Sequence, residues 1–143
     1  MSSVAIKWME EGSRLFACHD SSGNTIISGT WSGDMNGDRT WIATKPTDLL
    51  LMGLASCAAH DVVAILERQR QRLTSLRVDV EGQQATDPPF AFTGIHLRFV
   101  LSGQDLDVAR VERALMLSVE KYCPVVATVR GVANITHDYE IEL

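Results

Sequence analysis

Between Leu49 and Leu66 the chain reads LLLMGLASCAAHDVVAIL, an apolar run long enough to raise the question of a membrane span. His60 and Asp61 interrupt it, Gly53 and Ser56 dilute it, and patterned strands follow. The run is therefore read as a core helix buried on nearly all sides, and no membrane association is expected. Pro46 suits the first helical position, with Thr44 a cap just before it. The helix is expected to reach about Arg72, where Arg68, Arg70 and Arg72 complement the negative end of its dipole. One small sheet cannot cover such a helix, so a second copy of the chain is expected to cover the rest.

The flanking segments read mostly as strands. Val4, Ile6 and Trp8 alternate with polar or smaller neighbours, and Arg14 to Cys18 and Thr25 to Ser28 form a hairpin about Asp20–Asn24. Residues 28 to 44 are rich in Gly, Asp and Asn and read as a loop carrying Trp31 and Trp41. Leu76, Val78 and Val80 mark a half-buried strand, and Ile95, Leu97, Phe99 and Leu101 mark its partner beyond the Asp87-Pro88-Pro89 turn. Asp105 or Asp107 is expected to cap a second helix with Val108, Val111, Leu115 and Val119 on one face. Cys123-Pro124 interrupts it, because a residue before proline avoids the helical region. A short helix and a last strand, with Ile135, Tyr139, Ile141 and Leu143 on one face, complete the chain. Strands and helices do not alternate one for one, which predicts an α+β fold with largely antiparallel sheets. The length of 143 residues fits one domain, 1–143.

The net charge of −5 argues against sequence-independent nucleic-acid binding. The opening Met1-Ser2-Ser3-Val4 has no basic region followed by an apolar run, so a cytoplasmic location is expected. In that compartment structural thiols stay reduced, and cysteines 18, 57 and 123 are expected to be catalytic, metal-binding or simply buried.

Cys123 has the most informative surroundings. It sits at the N-cap of a short helix with Lys121 nearby, an arrangement that lowers a thiol pKa. A plain buried cysteine fits the local sequence equally well. Cys57 lies within the apolar helix, where burial raises a thiol pKa unless a cation is near. His60 is one turn on, and Arg14 and Arg39 are candidate cations from the preceding segments. Cys18 reads as structural. Cys57-x-x-His60 has ligand-like spacing that Cys123 or His137 would complete, but two ligands on an apolar helix are a weak metal signature, and no metal or cofactor is expected. His137 and Asp61 read as core polar residues. No P-loop, dinucleotide fingerprint or serine nucleophile elbow is present.

Two motifs together resemble a known family. Pro46-Thr47-Asp48-Leu49-Leu50-Leu51 followed by Gly53-Leu54-Ala55-Ser56-Cys57 resembles the central-helix motif of the OsmC/Ohr proteins. Lys121-Tyr122-Cys123-Pro124-Val125 resembles their second cysteine motif, and Asp61 to Leu66 is most like the YhfA-like branch. The resemblance implies antiparallel sheets around a long buried helix in an intertwined homodimer. It also implies reduction of organic hydroperoxides or hydrogen peroxide by thiol chemistry. Cys57 is then the attacking thiolate, Cys123 the resolving thiol, and an external dithiol the reductant. The family glutamate that directly follows the proline is replaced here by Thr47, with the carboxylate at Asp48, a turn of about 100° around the helix. Arg14 and Arg39 are the candidates for the family's activating arginine, and Trp31, Trp41 and Met52 for pocket lining. A non-catalytic stress-response or small-molecule-binding dimer on the same scaffold is the alternative.

Overall fold

The computed structural model describes residues 1–30 and 42–143. These divide into two compact units, Met1–Leu50 and Leu51–Leu143. Arg39, Trp31 and Trp41 lie outside the described residues.

The first unit holds an antiparallel meander of β1 (Ala5–Trp8), β2 (Arg14–His19) and β3 (Thr25–Thr30). The β2–β3 turn is organised by Asp20, whose Oδ1 accepts from the backbone N–H groups of Ser22 and Asn24, both at 2.8 Å. An aspartate here offers the turn a side-chain acceptor that mimics a backbone carbonyl. The other connection is held by Trp8, whose indole N–H donates to the Ser13 carbonyl at 2.9 Å.

Helix α1 (Pro46–Arg68) starts in the first unit and carries on into the second. It stops short of the expected Arg72. Arg70 takes a left-handed φ of 57°, and the Gln71 and Arg70 N–H groups, each at 2.9 Å, close onto the carbonyls of Leu66 and Glu67. This double closure satisfies the last helical carbonyls, a job usually given to glycine. Leu54, Ala55, Ala58, Val62, Ile65 and Leu66 are its buried residues. Their spacing of three and four defines a single buried side, not the all-round burial expected. Leu50 and Met52 are exposed, at 41% and 57%. Among the described residues α1 alone is long and apolar enough to cross a membrane, with mean hydropathy 2.0 over a window of which 22% is buried.

The second unit is built on a sheet ordered β4 (Arg72–Gln84), β5 (Phe92–Gln104), β6 (Asn134–Glu142). β4 and β5 are antiparallel, whereas β6 runs parallel to β5, the one parallel pairing among the described strands of sheets that are otherwise antiparallel, as expected. The reason is the connection: α2 (Val108–Leu117), a wider π-type turn (Ser118–Tyr122) and α3 (Pro124–Val129) carry the chain back across the sheet, as a parallel pair requires. Ile95, Leu97, Phe99 and Leu101 from β5 pack with the buried side of α1 and with Val111, Ala114, Leu115, Val119 and Val126. Asp107, not Asp105, caps α2, accepting from Ala109 and Arg110 N–H groups. The opposite sheet face is charged: Arg98 bridges Asp138 at 2.8 Å and Glu140 at 2.7 Å.

Candidate functional site

The second unit brings Cys57 and Cys123 together. Cys57 lies midway along α1, partly exposed. Cys123 arrives from the other side of the core through the π-type turn. Its N–H donates to the Ser118 carbonyl at 2.9 Å, which is the five-residue closure of a π turn. Such turns displace the chain from a regular helix and recur at functional sites. Pro124 then forces Cys123 into an extended conformation (φ −72°, ψ 111°) and starts α3. Ser118, fully buried, donates from Oγ to the Ala58 carbonyl at 2.7 Å. This bond ties the segment carrying Cys123 to the residue that follows Cys57.

The two thiols lie side by side, and the carboxylate of Asp61 joins them: the two Sγ atoms and a carboxylate oxygen of Asp61 all lie within 4.8 Å of one another. Asp61 Oδ2 is buried with no hydrogen-bond partner among the described residues. His60, expected to face Cys57, is exposed and takes no part. Asp61, read from sequence as a core polar residue, is the site residue that reading missed.

Burial decides the chemistry of Cys123. Only 2% of the residue is exposed, and desolvation pushes its thiol up to about 11. The neighbouring Cys57 pushes the same way, while the N–H groups of Val126 and Val125 pull against both. This overturns the expectation of an acidic thiol at a helix end. The Val126 N–H does reach Sγ at 3.4 Å, but α3 has only 6 residues and offers too little to offset the loss of water.

Arg14 is on β2 and Asp48 in the first turn of α1, and neither joins an ion pair among the described residues. Met52, on α1, is exposed at 57%. Cys18 lies on β2 with Sγ 3.5 Å from Ser28 Oγ, in keeping with a structural role.

His137 faces the core from β6, edge-on to Phe99 at 6.4 Å between ring centroids. Burial pushes its imidazole below the ordinary 6.5, helped by His96 and Arg130 and opposed by Glu120 and Asp138. The unfolded chain therefore binds this proton at a higher pH than the folded chain. The stability that neutral His137 contributes is full above 6.5 and drains as pH falls through 6.5 towards the lower folded value. Urea midpoints measured from about pH 7.5 to about pH 5 are expected to fall less steeply for His137→Leu than for the wild type.

The family model described as OsmC-like protein matches residues 36–138, most of the chain. The chain belongs to the OsmC-like family. It is 37% identical to Protein YhfA of Escherichia coli (strain K12) over 136 residues, 95% of each chain, in line with the resemblance to that branch. A solved hypothetical protein from Aquifex aeolicus VF5 superposes with a TM-score of 0.80 at 26% identity, covering 100% of this chain and 98% of the other. An organic hydroperoxide resistance protein OsmC from Legionella pneumophila shares the fold with a TM-score of 0.67 at 14% identity, over 98% and 96% of the two chains. An organic hydroperoxide resistance protein thus shares the fold that brings Cys57 and Cys123 together here.

Proposed function

We propose that the chain is a thiol-dependent peroxidase that reduces organic hydroperoxides or hydrogen peroxide through Cys57 and Cys123. The observation that carries this reading is the approach, within 4.8 Å, of two thiols distant in sequence, on a fold shared with an organic hydroperoxide resistance protein. The difference in burial supports the division of roles. Cys57, the more exposed, meets the peroxide, while Cys123 is sealed in the core. The Cys57 thiolate attacks one peroxide oxygen, the O–O bond breaks, and the departing oxygen takes a proton to leave as alcohol or water. Cys57 becomes a sulfenic acid. Cys123 then attacks that sulfur, and the expelled hydroxide leaves as water with the Cys123 proton. An external dithiol reduces the resulting disulfide by exchange.

A cation at Cys57 is part of this proposal, with Arg14 and Arg39 the arginines proposed for it and Asp48 for orienting them. Trp31, Trp41 and Met52 are proposed as contacts for the organic part of the substrate. A homodimer is proposed on the apolar side of α1, where Leu50 and Met52 stand exposed. The test is consumption of an organic hydroperoxide with a dithiol in excess. Catalytic loss of peroxide, one dithiol oxidised per peroxide, is expected. Consumption no faster than the dithiol alone gives would overturn the assignment.

The raised Cys123 thiol and the neighbouring Asp61 carboxylate support a second reading, a non-catalytic binding dimer. It predicts only slow, non-selective oxidation of the thiols.

A further inference from the structure

We propose that the reduced protein binds a zinc-like divalent cation on Cys57, Cys123 and Asp61. The proposal stands on the arrangement of these three side chains and does not need the peroxidase reading. Two sulfur atoms and a carboxylate oxygen converge within 4.8 Å of one another. Ligands on one zinc ion at about 2.3 Å can be no farther apart than about 4.6 Å, so small side-chain rotations close the set. Two thiolates and a carboxylate select zinc or a similar soft or borderline ion over magnesium or calcium, which favour oxygen alone. Three protein ligands leave a fourth position for water.

The buried Asp61 Oδ2 is the second observation. It has no hydrogen-bond partner, and Asp61 joins no ion pair among the described residues. A buried acceptor without a partner forfeits its hydration and gains nothing in return, the more so when charged. A dication between the three groups would satisfy that oxygen and offset the mutual repulsion of two thiolates and a carboxylate. Each thiol that ligates gives up its proton, so binding releases protons to the buffer.

The same two sulfurs cannot ligate and form a disulfide at once. With a diazenedicarboxamide oxidant, the two thiolates lose one electron each and join as S–S. The N=N bond takes those two electrons and two protons from solvent to become a hydrazine. The cation, left with one carboxylate, departs. The site therefore holds zinc only while the pair is reduced.

The experiment uses the full chain, reduced with a phosphine and stripped with a chelator that is then removed. Zn2+ is titrated in competition with a chromophoric chelator, and Co2+ is used to record thiolate-to-metal absorption. One ion per chain is expected, with thiolate–cobalt absorption that Cys57→Ser abolishes and release of the ion on diazene oxidation. Asp61→Asn, nearly isosteric, is expected to weaken binding by at least roughly 10-fold, since even groups that only orient metal ligands are worth 10–100-fold. Circular dichroism checks its fold. No binding to the wild type, or equal binding by the wild type and Asp61→Asn, overturns the proposal. A chain that turns over hydroperoxide yet takes no zinc fails here alone, and one that takes zinc without turnover fails only as a peroxidase.

Discussion

Cys57→Ser is expected to lower dithiol-dependent hydroperoxide turnover by on the order of 10³-fold or more, to the background of free dithiol, because a serine hydroxyl cannot replace the thiolate nucleophile. The fold is expected to survive, since Cys57 is only partly buried and the exchange removes little volume. Cys123→Ser is expected to behave differently. The first attack needs only Cys57, so one equivalent of peroxide is still consumed and the sulfenic acid accumulates, open to trapping by a diketone reagent. Multiple turnover then slows, because the dithiol must reach Cys57 without the disulfide step. Equal, complete loss in both variants would contradict the division of roles read from burial. Full turnover by Cys57→Ser would contradict the site.

Phe99→Ala is expected to destabilise the chain by about 3–5 kcal/mol, the range for removing a fully buried aromatic ring from a close-packed core. Phe99 has no exposed surface. It lies at the centre of β5, paired in register with Val78 on β4 and Tyr139 on β6, and it supports the His137 ring edge-on. The sheet can collapse only partly into such a cavity, because both neighbouring strands are fixed by their ladders. Urea unfolding at one fixed protein concentration measures the change, as any association adds to apparent stability. A loss below about 1 kcal/mol would mean that this sheet face is not the core.

The long helix and the cysteine pair were legible in the sequence because local chemistry determines them. An apolar run behind Pro46 has few alternatives to a helix, and Cys123-Pro124 has to break one. The direction of β6 was not, since Ile135, His137, Tyr139 and Ile141 alternate in the same way whichever way the strand runs. The clue was the length of the intervening helices, which suits a crossover better than a hairpin. Asp61 was also within reach. At about 100° per residue it lies about 40° around the helix from Cys57, whereas His60 lies about 60° to the other side. Leu54, Ala58, Val62 and Leu66 mark which side is buried. Cys123 shows the limit of local reasoning: the helix end at Pro124 was correctly read, yet the depth of burial is set by residues far away in sequence, such as Val111 and Leu97.

The central claim is that Cys57 and Cys123 form one redox pair, and mapping of disulfides after a single equivalent of hydroperoxide tests it most directly. Reduced protein is mixed with the peroxide, quenched with an alkylating agent at intervals, digested and analysed without reduction. The account predicts a Cys57–Cys123 peptide within a single chain, appearing as fast as the peroxide disappears, with Cys18 alkylated throughout. Peroxide loss with both thiols still free, or a disulfide that involves Cys18, would contradict it.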